Sequence, residues 1–362
     1  MGRGMIGRLP LPSVTSPQSD DVVSLAGYTT LRLGGPTRRL VEASTAAELV
    51  DVVRAADSSG EPLLVLGDGS NVVIGDDGVP GGTVRIGHLG TRVERAADDE
   101  VLLTVQAGEN WDSCVAASVA DGLGGLECLS GIPGRVGAVP VQNVGAYGVE
   151  IAGALVDVDL YDRRAAAVRE HVPAAELGLG YRTSALKGFA DRIVLRIRLR
   201  LRADGLSAPI TYAELAATLG VTAGDRVPAA EARAAVLELR RGKGMVLDAS
   251  DHDTWSVGSF FTNPVLPDSE LAGLNGLRRW PARPGWSKLA AAALVQKAGF
   301  TRGHPGPGGR VALSSKHVLA LTHRGGGSTA DLLELAREVR DGVHAAFGVT
   351  LHPEPVLVGC QL

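Results

Sequence analysis

From Thr45 the apolar positions return every three or four residues, with Leu49, Val52, Val53 and Ala56 on one face behind Thr45-Ala-Ala-Glu48. At that spacing a threonine hydroxyl and a glutamate cap each other's backbone N–H, so an amphipathic helix is predicted to start there. EPLLVLG predicts a buried strand. IVLRIRLRLR, residues 193–202, alternates without a break and puts Arg196, Arg198, Arg200 and Arg202 on one side of a strand. Charge runs usually face water, so a solvated sheet face is expected there before an anion site. ITYAEL repeats the capping spacing at Thr211 and Glu214, with Tyr212 at the start of a short helix, and a helical stretch from Ala229 ends in RRGKG. The texture changes near Asp248. SVGSFFTNP leads into a loop with proline and tryptophan, a helix led by Ser287, a glycine-rich loop from Gly303 to Gly309, and a long helix opened by Ser328 and stopped at Gly348. VTLHPEPVLVG then reads as a strand-like tail.

This mixture of short strands, glycine turns and a few clear helices predicts an α+β protein. The expected order is a tail over 1–21, a first domain over 22–202, a connecting helical segment over 203–247, a second domain over 248–350 and a terminal strand over 351–362. The tail is rich in Gly, Pro and Ser and is read as mobile.

Forty acidic against thirty-six basic side chains give a formal charge of −4, so no overall field favours nucleic acid or anionic lipid. Three widely spaced cysteines, Cys114, Cys128 and Cys360, form neither a CxxC pair nor a disulfide framework, which fits a reducing cytoplasm. Apolar runs such as LAAAALV fall well short of a membrane span, and the amino end shows no apolar signal-peptide centre, so neither anchoring nor export is expected. A monomer is expected.

Several familiar motifs fail. The sole GxGxxG begins at Gly2, where no strand can precede it; Gly242-Lys243 lacks the rest of a P-loop; no serine stands in a GxSxG elbow; and the histidines lack metal-ligand spacing. Two glycine loops remain. In LGDGSNVVI, Leu66 to Ile74, an apolar run enters Gly67-Asp68-Gly69-Ser70-Asn71 and leaves as another apolar run. Small residues there can present an array of N–H groups to a diphosphate, although the loop taken alone is read as an ordinary hairpin turn. LSGIPGRVGAVPVQNVGAYGVEI carries glycines at 131, 134, 137, 145 and 148 among prolines and small apolar residues. Such a segment is too stiff and apolar for a solvent linker and lets backbone approach a flat ligand. Together the loops suggest a dinucleotide cofactor held by backbone.

LGDGSNVV, GIPGRVGAVPVQNVGAYGVE, LGYRTSALK, GSFFTNP and LHPEP, in this order, resemble the UDP-N-acetylenolpyruvoylglucosamine reductase (MurB) family over nearly everything from Gly27 to Val358. The resemblance implies a first domain of the vanillyl-alcohol-oxidase (PCMH) type holding FAD without a covalent bond. Leu66, Gly67, Gly69, Ser70, Asn71, Val72, Gly131, Ile132, Pro133, Gly134, Gly137, Ala138, Val139, Asn143 and Gly145 would contact that cofactor. It implies NADPH as hydride donor and the enolpyruvyl ether of UDP-N-acetylglucosamine as substrate, reduced to UDP-N-acetylmuramate for peptidoglycan. Arg182 resembles the catalytic arginine, Ser259 the proton donor and Glu354 the terminal acid; Tyr181, Tyr212, Lys243 and Asn263 would bind substrate; no metal is implied.

The residue types suit that chemistry. Hydride added to the outer carbon of an enolpyruvyl group leaves negative charge shared with the neighbouring carboxylate, which a guanidinium and a protonated acid both stabilise. Read without the resemblance, Arg182 is a strand-end surface arginine, Glu354 a solvated loop carboxylate and Ser259 a core serine bonded to backbone. The alternatives are another FAD-dependent oxidoreductase on the same scaffold, such as an oxidase, and a silent UDP-sugar-binding module.

Overall fold

The computed structural model describes residues 22–97, 99–188, 190–271, 274 and 276–362. The segment 1–21, read above as a tail, lies outside the described residues. Thr45 caps the first helix, Ala46–Ser59: its hydroxyl accepts the Glu48 N–H at 3.0 Å, and the Glu48 carboxylate accepts the Ser44 N–H at 2.8 Å. The buried stripe is Leu49, Val50, Val53 and Ala56, with Val52 half-buried at its edge. This helix packs on a parallel sheet in the order Arg39–Ala43, Gly82–Ile86, Leu63–Leu66.

A second, antiparallel sheet runs Ala167–Pro173, Leu155–Asp162, Arg192–Arg202, Glu100–Gln106, Thr91–Ala97. Both sheets close on one core that extends from Ala43 to Leu201 and includes Trp111 and Tyr161. Half of the arginine stripe keeps the expected solvated face, Arg200 and Arg202 being exposed, and the other half departs from it. Arg198 is 5% exposed and is held by Asp157 and, at 2.6 Å, by Asp159 on the adjacent strand, while Arg196 also reaches Asp159. Paired carboxylates across the ladder compensate the guanidinium for lost water. Asp157, Asp159 and His171 bring possible ligand atoms within 4.8 Å of one another, but these two guanidiniums already occupy the carboxylates.

The helices Ala213–Leu219 and Ala229–Gly242 enclose a small core of their own with Cys128. The first does not use the predicted cap. Its N-cap is Tyr212, with no side-chain bond, because the Glu214 carboxylate turns to Lys243. Ser287 likewise starts no helix: it lies in the strand Trp286–Leu289 and donates to Asp268 at 2.6 Å. The following helix is Ala291–Lys297, whose first N–H is taken by Asn263 Oδ1 at 2.9 Å.

The remaining core gathers Phe260, Phe261, Leu294, Leu321 and the buried face of Thr329–Phe347, together with Leu31, Leu33 and Val73 from early in the chain. Ser328 and Asp331 form the capping box of that long helix. Asp76 reaches across to accept its Thr329 and Ala330 N–H groups at 2.7 and 2.8 Å. Beside it, the tail strand Val356–Val358 pairs in parallel with Val72–Ile74. The carboxyl end is thereby fastened to the stretch that leaves the first glycine loop. That loop is no hairpin turn: Leu63–Leu66 pairs with Gly82–Ile86 and Val72–Ile74 with the tail, so its two flanks belong to different sheets.

Candidate active site

The two glycine loops face each other across one cleft. Gly69 has φ +58°, and a Cβ there would lie 2.5 Å from the Tyr28 carbonyl oxygen; a Cβ on Gly134, at φ +122°, would lie 2.5 Å from Ser70 Oγ. Glycine at 134 lets the two loops approach so closely, and glycine at 69 lets the first loop lie against Tyr28 and Thr29. Among the described residues no acceptor takes the backbone N–H of Asp68, Gly69 or Ser70 on one loop, or of Ile132, Gly134 or Arg135 on the other. Half-buried N–H groups in a concave array fit an anionic diphosphate, and Asp68 with Arg135 ties the loops at 2.7 Å. An FAD-sized, backbone-held group suits this cradle.

Of the residues expected to touch that cofactor, Leu66, Gly67, Gly69, Ser70, Asn71, Val72, Ile132, Pro133, Gly134, Ala138, Val139 and Gly145 line the cleft. Gly131, Gly137 and Asn143 do not. Gly131 backs onto Leu237 and Val246, and Gly137 onto Ala107, where an added Cβ would fall 2.9 and 2.6 Å from its neighbours. The Asn143 side chain is committed to Glu150, the Gly180 carbonyl and the Ala152 N–H. These three shape the loops from behind. Gly145 does more than line the cleft: its carbonyl accepts from Arg182 at 2.7 Å.

At one end of the cleft Arg182 Nε stands 3.3 Å from Glu354 Oε1. Burial raises the Glu354 carboxyl above its ordinary value, and the positive charges of Arg182 and Lys187 only partly oppose it. The SFF and PEP segments run side by side: the Thr262 N–H donates to the His352 carbonyl at 3.0 Å and the Glu354 N–H to the Phe260 carbonyl at 2.8 Å. Ser259, next to Phe260, thus shares the cleft with Arg182 and Glu354. Its hydroxyl has no protein hydrogen-bond partner among the described residues.

The two phenylalanines hold Ser259 from beneath. Their rings are 0% and 1% exposed and meet edge-to-face at 5.1 Å, in the core and not in the cleft wall. Each contributes about 1.5–3 kcal/mol of burial that anchors the loop. Gly258 is required by its φ of +75°; an added Cβ would meet open space.

The four residues expected to bind substrate stand outside the cleft lining, in two groups. Tyr181 receives the Asn263 N–H at 3.4 Å and lies under Lys288, whose Nζ is 4.4 Å from the ring centroid. Tyr212, 43% exposed, meets Tyr147 edge-on at 5.4 Å, and Lys243, paired with Glu214, lies 5.6 Å above the Tyr147 ring. Three basic residues escaped sequence reasoning. Lys187 and Arg240 line the cleft, Arg240 with a buried Nε lacking any partner among the described residues, and Lys288 faces Tyr181. Lys187 stands within LGYRTSALK and Arg240 opens RRGKG, whereas nothing local in sequence marks Lys288.

A backbone cradle for a dinucleotide, opening onto a guanidinium, a buried carboxyl and a hydroxyl without a protein partner among the described residues, defines a flavin-dependent oxidoreductase. The FAD binding domain profile matches residues 37–161. A second profile, for the C-terminal domain of UDP-N-acetylenolpyruvoylglucosamine reductase, matches residues 250–358. The reductase of that name from Saccharopolyspora erythraea is 58% identical over 94% of this chain and 95% of its own, and that from Salinispora arenicola is 53% identical over 97% and 99%. The crystal structure of the enzyme (MurB) from Thermus caldophilus superposes with a TM-score of 0.64 at 26% identity, covering 93% of this chain and 98% of that one. The chain belongs to the UDP-N-acetylenolpyruvoylglucosamine reductase family.

Proposed function

We propose that the protein reduces the enolpyruvyl ether of UDP-N-acetylglucosamine to UDP-N-acetylmuramate with NADPH, for peptidoglycan precursor synthesis. The 67–71 and 132–135 loops would hold FAD, which when bound would supply two-electron hydride chemistry between NADPH and the sugar nucleotide. The chain's own side chains manage charge and protons. Arg182 and protonated Glu354 hydrogen-bond the substrate carboxylate as negative charge grows on it. Ser259 delivers the proton that completes the saturated ether; a weak acid suffices because the enediolate-like anion is strongly basic. Tyr212 and Lys243 on one side, and Tyr181 and Asn263 on the other, would hold the nucleotide diphosphate and sugar.

The observation that carries this reading is the meeting of Arg182 and Glu354, distant in sequence, at 3.3 Å beside the Ser259 loop. Cys114 and Cys128, unpaired, buried and with thiols pushed up to about 12 by burial, suit a reducing cytoplasm. Among the described residues no helix is long and apolar enough to cross a membrane. A monomer is the working unit in this reading. Incubation with NADPH and the enolpyruvyl UDP-sugar should give a product two hydrogens heavier; NADPH oxidation driven by oxygen alone, with the sugar nucleotide recovered unchanged, would favour an oxidase.

A further inference from the structure

Lys187 occupies the junction between the two residues that stabilise the anion. Its ammonium donates to the Arg182 backbone carbonyl at 3.1 Å and to the Glu354 backbone carbonyl at 2.9 Å. Beside the Arg182–Glu354 contact, it ties the backbone of the 181–187 turn to the backbone of the tail segment bearing the acid. Asn71 reaches the same Glu354 carbonyl only at 3.5 Å. Arg182 needs such restraint. Its φ of +53° lies in the left-handed region, which side-chain-bearing residues leave unless surrounding bonds hold them. The Gly145 carbonyl holds its guanidinium at 2.7 Å, and Lys187 holds its backbone.

We infer that Lys187 is a positioning residue for the reduction: by bridging the two carbonyls it sets the spacing between the Arg182 guanidinium and the Glu354 carboxyl. Two hydrogen bonds from one cation to two carbonyls are stronger than neutral bonds and fix both chains at once. The ammonium also adds a positive charge near the Glu354 carboxyl, which otherwise faces Arg182 and Tyr181. The inference rests on the reductase reading, so the unaltered protein is measured beside the variants.

The test compares Lys187→Met, which keeps length and loses the cation, with Lys187→Arg, which keeps a cation able to fork to two carbonyls. Lys187→Gln replaces the methionine variant if that one does not fold. FAD affinity of the apoprotein, followed by flavin fluorescence quenching, is expected to stay within about threefold in both variants. Lys187→Met should lower kcat about 10- to 100-fold, the scale of an ångström-level misplacement, with little change in KM. It should move the alkaline limb of the rate profile to higher pH, because the Glu354 carboxyl loses a neighbouring positive charge. Lys187→Arg should recover most of the rate. A methionine variant with wild-type kcat, or one whose rate falls with an unmoved pH limb and no recovery in arginine, would overturn the positioning role. Absence of turnover in the unaltered protein would instead refute the reductase reading.

Discussion

Replacing Ser259 with alanine separates proton delivery from every other duty of the SFF loop. The structure makes this substitution clean. The hydroxyl has no protein partner among the described residues, so its loss orphans no buried group, and the loop remains fastened by the Phe260 N–H to Leu319 at 2.7 Å, by the Glu354 N–H to Phe260 at 2.8 Å and by two fully buried rings. The expected stability change is within about 0.5 kcal/mol, as for substitutions that disturb no packing or bonding. The expected kinetic change is much larger. Deleting one group that acts only at the transition state costs roughly 100-fold or more, and two factors of ten at about 1.36 kcal/mol each give about 2.7 kcal/mol. Stopped-flow absorbance at the flavin band, under anaerobic conditions, resolves the halves of the cycle. Reduction by NADPH should stay near the wild-type rate, while reoxidation by the enolpyruvyl UDP-sugar should slow at least 100-fold, with Ser259→Cys retaining more activity than alanine. Equal slowing of both halves, or no slowing of the second, would show that Ser259 merely packs the loop.

Glu354→Ala removes the hydrogen-bond donor and should lower kcat about 100-fold or more, with Glu354→Gln, whose amide N–H still donates, retaining more activity; in the parent protein, burial raises the Glu354 carboxyl above an ordinary glutamate, so turnover should decline as pH rises through that raised value, and a rate increasing there would contradict its role as a donor. Gly134→Ala, with a Cβ 2.5 Å from Ser70 Oγ at φ +122°, should part the loops and lower flavin occupancy, whereas Gly153→Ala, which meets no atom within 4 Å, should not; the flavin-to-protein absorbance ratio measures both, and full occupancy in Gly134→Ala would remove the cofactor from this cradle. Tyr212→Phe should raise KM for the UDP-sugar more than it lowers kcat, and an unchanged KM in steady-state kinetics would exclude Tyr212 from nucleotide binding.

Much of the chemistry was legible because it sits in short motifs whose residue types are unusual together. Gly67 to Asn71 alone reads as a hairpin turn and suggests a cradle only together with Ile132 to Gly134, while the Thr45 and Ser328 helix starts are legible locally. The errors share a physical origin in partners remote in sequence. Glu214 left its expected cap for Lys243, and Ser287 bonds Asp268 in a strand while Asn263 serves the next helix. Arg198 is buried because Asp157 and Asp159 lie on the adjacent strand. Gly131 and Gly137 stand close against Leu237 and Ala107, an environment that only packing reveals. Pairing of Val356–Val358 with Val72–Ile74, which sets Glu354 beside the first loop, is a non-local register that no periodicity announces.

The decisive measurement is an anaerobic titration of the purified, flavin-loaded protein followed by its visible spectrum. One equivalent of NADPH should bleach the flavin band, and one equivalent of the enolpyruvyl UDP-sugar should then restore it with formation of UDP-N-acetylmuramate. A band that NADPH leaves untouched, or that stays bleached after the sugar nucleotide is added and returns only on admitting air, would contradict the assignment.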